Sequence, residues 1–202
     1  MSELCLAACL WLGIGGSYSV PSDDRFEAQP SIEVKVGYKN VYLGASYEKQ
    51  DIHILGQSLA DGDGRRYVIG YTTEVTDKAR VWFEFGQEQL DLDYNSIVRS
   101  EIVRDVLANT HPCQKWQAHC GFSEQNNPHF TSAHYDLQAR YVVAIGASFQ
   151  ASKRLELSAF LRATQYEETI IGYWEPDNTR WEEFNHVTKY APGIGITYTI
   201  GR

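Results

Sequence analysis

The 202-residue sequence lacks several features that would assign it quickly to a class of protein. No apolar run reaches the eighteen or so residues of a membrane-spanning helix, so a helical membrane protein is not indicated. Acidic residues outnumber basic ones by 26 to 18, which argues against general nucleic-acid binding. Catalytic signatures such as a nucleophile elbow, a P-loop or an HExxH motif are missing, so no enzyme class and no cofactor are indicated.

What the sequence has in quantity is tyrosine and glycine, with 13 and 16 residues, in segments that alternate between two faces. In 135–149, for example, Val143, Ile145 and Phe149 share one face, and Arg140 and Gly146 lie on the other. A period of two is typical of a β-strand with two different faces. The segments that alternate in this way are 31–38, 41–49, 66–75, 79–89, 135–149, 155–166 and 187–200.

The opening stretch LCLAACLWLGIG, residues 4–15, is open to several interpretations. A cleaved signal should begin with a basic region, and only eight residues precede Cys9 in the lipoprotein-like LAAC. Gly13 and Gly15 interrupt a spanning helix. Read as a strand over about 3–15, the stretch has an apolar face and a mixed face like the others, and we expect it to pair with 187–200. Any export signal would then lie outside this sequence, with Met1 an added start; the state of Cys5 and Cys9 stays open.

The connections between the alternating segments are short and long in turn. Tight turns are predicted near Lys39, Asp77 and Ser152, and long loops over 20–30, 50–65, 90–134 and 167–186. Strands joined in this order form an antiparallel meander. The sequence therefore predicts one all-β domain over 1–202. We expect an eight-stranded antiparallel up-and-down barrel with short turns at one end and four long loops at the other.

The composition of the polar face predicts which side of the barrel is inside. This face combines glycine with charges of both signs, as a narrow closed interior requires, whereas a water-facing strand gains nothing from glycine. The apolar face carries almost no charge and has the length needed to cross a bilayer. We therefore expect a transmembrane barrel with an interior charge network. Its predicted members are Glu33, Lys35, Arg66, Glu74, Arg80, Glu84, Arg140, Glu156 and Arg162.

In strand pattern and loop rhythm the chain resembles the small eight-stranded outer-membrane β-barrels of Gram-negative bacteria, the OmpA/OmpX-like class. It departs from that class in ending TYTIGR rather than on an aromatic residue. The resemblance implies a monomer in the bacterial outer membrane, in contact with the lipid bilayer and lipopolysaccharide, with its loops at the cell surface. The implied role is non-enzymatic: surface interaction, through a protein or host-surface partner of the loops, or membrane structure. The alternatives are a lipid-modifying outer-membrane enzyme with a rim site and a soluble lipocalin-like carrier of a small ligand.

Three groups of residues are candidates for chemistry or binding. His129, Ser132 and His134 are weak candidates for a catalytic rim site, although ordinary polar loop residues have the same pattern. Cys113 and Cys120 predict a loop disulfide; with His111 and His119 they match no standard zinc spacing, so no metal is expected. In the fourth loop Tyr173 and the two tryptophans, Trp174 and Trp181, are aromatic residues that suit either a binding surface or an interfacial girdle; the tryptophans are the loop-binding candidates.

Overall fold

The computed structural model describes residues 10–54, 57–96, 130–174 and 179–201. These residues form eight strands. The strands are β1 (Leu10–Ser19), β2 (Gln29–Tyr38), β3 (Val41–Ile54), β4 (Gln57–Glu74), β5 (Ala79–Tyr94), β6 (Phe130–Gln150), β7 (Leu155–Trp174) and β8 (Thr179–Ile200). Among the described residues, no helix is long and apolar enough to cross a membrane.

The eight strands pair antiparallel in chain order and close into a barrel. Closure joins β1 to β8, with Leu12 opposite Ile200 and Ser19 opposite Gly193. The prediction of an eight-stranded up-and-down barrel is therefore confirmed, as is the pairing of the opening strand with the last one. That strand begins at Leu10; residues 1–9, with Cys5 and Cys9, lie outside the described residues.

The turn-side part of the barrel is apolar outside and polar inside. Ile32, Leu43 and Ile145 point outward with 65%, 63% and 61% of their surface exposed. Arg66 and Glu84 point inward and are buried. Along β6 this apolar outer band runs from Tyr141 to Phe149, the nine or so residues that a tilted strand needs to cross a bilayer. The predicted choice of the inner face is correct for this part of the barrel.

Beyond that band the two faces exchange character. The outer face of β3, β4 and β5 becomes polar, with exposed Lys49, Arg65 and Asp91. The interior becomes apolar around a cluster of buried residues: Phe26, Ile52, Leu59, Ala60, Tyr135, Leu137, Tyr166 and Ile170. A sheet that is polar outside and apolar inside is the arrangement stable in water. The strands therefore extend from the membrane band into the aqueous phase on the long-loop side.

The strand extensions correct two of the predicted long loops. The segment 50–65 belongs largely to β3, which ends at Ile54, and to β4, which begins at Gln57. Likewise 167–186 is mostly β7 and β8, and the third connection shortens to 95–129. The Asp and Gly residues of ADGDGRRY, residues 60–67, suit a turn and fall largely within the predicted 50–65 loop. Those residues lie instead in β4, whose ladder with β3 and β5 holds them extended.

Four large aromatic side chains occupy the turn-side lumen, and each lies directly opposite a glycine of the next strand. The pairs are Trp11 with Gly37, Tyr42 with Gly70, Trp82 with Gly146, and Phe160 with Gly193. A Cβ at any of these glycines would overlap the facing ring. These four glycines are thus required by the close approach of the rings. The rings themselves pack in two pairs, Trp11–Tyr42 and Trp82–Phe160, with centroids 5.7 and 6.0 Å apart.

Candidate functional site

One charged layer of the lumen, next to the turn end, is centred on Lys35. Its Nζ lies 3.0 Å from Glu84 Oε1 and 3.5 Å from Glu33 Oε2. Tyr42 donates its hydroxyl to the same Glu84 oxygen at 2.8 Å, and Thr197 donates to Glu33 at 3.3 Å. Because β2, β3, β5 and β8 all contribute, this layer ties strands on opposite walls of the barrel together.

A second set of charges lies at the turn end. Arg80 binds Glu156 across β5 and β7 at 3.0 Å, and Glu74 on β4 at the same distance. The Glu74 side chain is 70% exposed, so this predicted member stands at the barrel entrance rather than in the closed interior. Beside Glu156, a lumen cavity of about 30 Å³ is lined partly by Trp82 and Thr72. That volume is on the scale of one water molecule.

The middle layer contains a carboxylate between two guanidinium groups. Glu48 Oε2 lies 3.4 Å from Arg162 and 3.9 Å from Arg66, and all three side chains are buried. Glu88 accepts hydrogen bonds from Thr164 and Tyr166 in the same region, at 3.3 and 3.4 Å. The charges on opposite walls meet across the axis, so they obstruct the centre of the lumen.

Above this layer, the connection between β1 and β2 folds into the barrel mouth. Phe26 bridges to Ile52 on β3 and stacks on Tyr166 of β7, with ring centroids 5.2 Å apart. Lys189 places its Nζ over the Phe26 ring at 4.3 Å. Phe26 is therefore a plug over the charged layers. No periodic pattern marks Phe26 in the sequence, because it lies in a short irregular segment.

An ion-pair network anchors the plug. Arg25 binds Asp23 at 2.8 Å and reaches Glu168 on β7 at 3.0 Å. Tyr135 donates its hydroxyl to Glu168 at 2.6 Å. The hydrogen bonds from Arg25 hold the pKa of Asp23 below its ordinary value, and burial together with Glu168 raises the pKa of Tyr135.

Arg140 does not belong to the interior network, contrary to the prediction. A bulge between Ala139 and Val142 lets both Arg140 and Tyr141 face outward, so the inward positions shift from odd to even numbers along β6. Arg140 is exposed and pairs with Glu167 on the outer surface. The other eight predicted members line the lumen or, like Glu74, stand at its entrance.

A cleft separates β5 from β6 above the membrane band. Their described residues pair as far as Gln87 and Tyr141, and beyond this point the two strands diverge. The space between them has a volume of about 580 Å³. Leu90, Leu92, Leu137 and Ala139 supply its apolar lining, and Arg65, Gln89, Asp91, Asp136 and Gln138 its polar lining. This combination suits contact with an amphipathic group.

The weak catalytic candidates are not brought together by the described residues. His134 lies exposed on the outer face of β6. The neighbouring Asp136 accepts hydrogen bonds from Gln138 and Tyr94, at 2.9 and 3.4 Å. His129, Cys113 and Cys120 lie outside the described residues, as do the side chains of Ser132, Trp174 and Trp181. The disulfide and the loop-binding candidates therefore stay predictions.

Comparison with known proteins finds similarity in structure alone. No family model matches the chain, and no curated protein matches it. The outer membrane protein AlkL, solved by solid-state NMR in DMPC bilayers, is 8% identical with a TM-score of 0.52, over 95% of this chain and 90% of AlkL. The outer membrane protein OprG from Pseudomonas aeruginosa is 11% identical with a TM-score of 0.50, over 95% of both chains.

These likenesses show a shared fold, that of the small eight-stranded outer-membrane β-barrels. The exposed apolar band independently requires a lipid surround, since an apolar surface of this extent is unstable in water. The paired charges inside fit the polar interior of a membrane barrel. The chain is a transmembrane β-barrel with the fold of these outer-membrane proteins, in contact with the lipid bilayer.

Proposed function

We propose that this protein is a non-enzymatic membrane protein that acts through its extracellular end, as a surface for protein or host-cell partners. The observation that carries the proposal is the continuation of β3 to β8 beyond the membrane band, with an apolar core inside. Membrane anchoring alone does not require this extension. The extended strands form a base beyond the membrane. This base presents the connections between strands, and the cleft between β5 and β6, to the exterior.

The obstructed lumen supports a surface role over a role as a general porin. Glu48, Arg66 and Arg162 meet at the centre, and the Phe26 plug lies above them. Eight strands leave an interior only wide enough for side chains. In planar bilayers we expect no stable conductance of the size that general porins give.

The orientation in the membrane can be tested by labelling intact cells. In a background with all four cysteines replaced by serine, Asp63→Cys lies on the extracellular extension and Thr76→Cys in a tight turn at the opposite end. An impermeant maleimide should label Asp63→Cys on whole cells, and should label Thr76→Cys only after lysis. The reverse pattern would overturn the proposed surface role.

The non-enzymatic part of the proposal has its own test. The purified barrel, reconstituted with phospholipid and lipopolysaccharide, should show no lipid hydrolysis or acyl transfer. An activity that is present in the unaltered chain and lost in His134→Ala would favour the lipid-modifying enzyme instead.

Lipopolysaccharide is the proposed lipid partner of the outer boundary. On three strands an outward tyrosine is followed by an outward cation: Tyr47 by Lys49, Tyr67 by Arg65, and Tyr141 by Arg140. Tyrosines are typical of the interfacial girdles of such barrels. Cations just beyond them lie where lipid phosphates are expected, each contributing about 1 kcal/mol near an anionic surface.

Comparison of two membranes tests this partner. The variant Lys49→Gln/Arg65→Gln/Arg140→Gln should lose the gain in melting temperature that lipopolysaccharide gives over neutral phospholipid. Arg180→Gln is the matched control. Arg180 is an exposed cation at the start of β8, farther from the membrane band, so this variant should keep that gain. An equal gain in both variants would exclude the three cations as the lipopolysaccharide contact.

A further inference from the structure

Three potential metal ligands meet outside the barrel, where the plug segment joins β3. Glu27, Asp51 and His53 each place a donor atom within 4.8 Å of the others. His53 Nδ1 lies 3.7 Å from Glu27 Oε1 and 3.9 Å from Asp51 Oδ1. Two backbone bonds fix the arrangement: Glu27 N–H donates to Asp51 O at 3.3 Å, and His53 N–H donates to Arg25 O at 2.7 Å.

Carboxylates lie close together in and beside this cluster. The Phe26–Ile52 bridge brings Glu27 beside Asp51, and on the other side of β3 the residue paired with Asp51 is Asp61. Like charges on neighbouring strand positions destabilise a sheet. Asp51 Oδ1 is also screened from solvent and has no hydrogen-bond partner among the described residues. A buried acceptor oxygen without a donor is costly.

We propose that Glu27, Asp51 and His53 form a binding site for a divalent transition metal, with Zn²⁺ as the ion that fits best. One imidazole and two carboxylates are ligands that Zn²⁺ accepts, and a water molecule would take the fourth position. Zn²⁺ ligands at about 2.0 to 2.2 Å from the ion lie about 3.3 Å apart in a tetrahedron, so modest side-chain rotation closes the site.

The site would fasten the plug segment to the wall of the barrel. Glu27 adjoins Phe26, and the other two ligands flank Ile52, the residue that Phe26 bridges. A bound ion would therefore join the plug segment to β3 on the outer surface of the barrel. The Phe26–Ile52 contact joins the same two segments on the inner side. This inference concerns the stability of the plug and does not depend on the proposed surface role.

Zinc binding is measured on the full chain in detergent micelles, after removal of metal. The four cysteines are replaced by serine, so that no thiolate of the 95–129 connection competes. Titration with Zn²⁺ alone should give one saturable site per chain and raise the melting temperature. His53→Gln and Asp51→Asn should each weaken binding at least about tenfold and abolish the thermal gain, with heat-modifiable migration on gels confirming that they fold.

Matched variants separate this site from other histidines. His186→Gln, on the outer face of β8, and His111→Ala/His119→Ala, on the 95–129 connection, should bind Zn²⁺ like the unaltered chain. Absence of saturable binding would overturn the proposal, and so would equal affinity in His53→Gln. An equal thermal gain from Ca²⁺ or Mg²⁺ at the same concentration would also overturn it, because hard cations need no imidazole.

Discussion

Lys35 on β2 and Glu84 on β5 meet across the lumen, with Nζ and Oε1 3.0 Å apart. The Lys35 ammonium also lies 5.1 Å from the centre of the Trp82 ring. Both side chains are largely buried, so each charge depends on the other for the interactions that water would otherwise supply. The pair joins two strands that are not neighbours in the sheet, and it therefore resists flattening of the barrel as well as strand separation.

Glu84→Gln should be strongly destabilising, because it removes the nearer carboxylate and leaves Glu33, at 3.5 Å, as the carboxylate partner of the buried Lys35 ammonium. We expect the free energy of unfolding to fall by about 3 kcal/mol, the lower end for breaking a buried ion pair. Urea titration of the barrel in lipid vesicles measures this loss.

Glu74→Gln is the matched control for that substitution. Glu74 also binds an arginine at 3.0 Å, but its side chain is 70% exposed. Its loss should cost no more than about 1 kcal/mol, as for other surface pairs. Equal losses for Glu84→Gln and Glu74→Gln would show that burial of the Lys35–Glu84 pair does not govern its contribution.

The glycine opposite Tyr42 supports a second prediction. Gly70→Ala would place a methyl group inside the volume of the Tyr42 ring, which also holds Glu84 through its hydroxyl. We expect a loss of about 1 to 3 kcal/mol, as for other overpacked interiors. Gly16→Ala, on the lipid-facing side, would meet only the Ser31 backbone oxygen at 3.2 Å and should cost less than Gly70→Ala in the same urea titration. A neutral Gly70→Ala would mean that the ring has room to move.

The membrane part of the barrel could be predicted from the sequence because its alternation is strict and its two faces differ in kind. Glycine and paired charges on one face, beside uncharged Val, Ile, Leu and Tyr on the other, identified the inner side of β2 and β7 correctly. The specific reason for the glycines could not be predicted. Gly37 is needed by Trp11, which lies far from it in sequence, so only the register brings the two together.

The part of the barrel on the long-loop side escaped prediction because its pattern has the opposite polarity and is interrupted. Along β6 the bulge at Ala139–Val142 changes the inward positions, while the sequence alternates without a visible break. Strict alternation over 135–149 would place Leu137 and Tyr135 on the same lipid-facing side as Val143, although both lie in the apolar core. Phe26 was missed for another reason, since a single aromatic residue in a polar connection has no period.

The outward position of Arg140 gives a direct test of the bulge. Arg140 lies outside with Glu167, whereas Arg162 lies inside between Glu48 and the Phe160 ring. Arg140→Met should change the free energy of unfolding by no more than about 1 kcal/mol, and Arg162→Met should lower it by about 3 kcal/mol. Equal and large losses would place Arg140 in the interior after all and would remove the bulge.

The plug should loosen in acid because Asp23 is bound by Arg25. The pKa of Asp23 is lowered in the folded barrel by those hydrogen bonds, so the stabilisation is complete above the ordinary carboxyl pKa of about 3.9. It is lost as the pH falls through the lowered folded value, when Asp23 takes up a proton and Arg25 retains Glu168 alone.

A nitroxide on Asp24→Cys, in the cysteine-free background, reports this loosening as increased mobility below about pH 4. With Asp23→Asn added, the label should already be mobile at neutral pH and should respond less to acid, because the titrating group is gone. A label on Thr76→Cys, at the opposite end, controls for general unfolding and should not change over the same range. If both labels became mobile together, acid would be acting on the whole barrel, and the Asp23–Arg25 pair would not be what holds the plug.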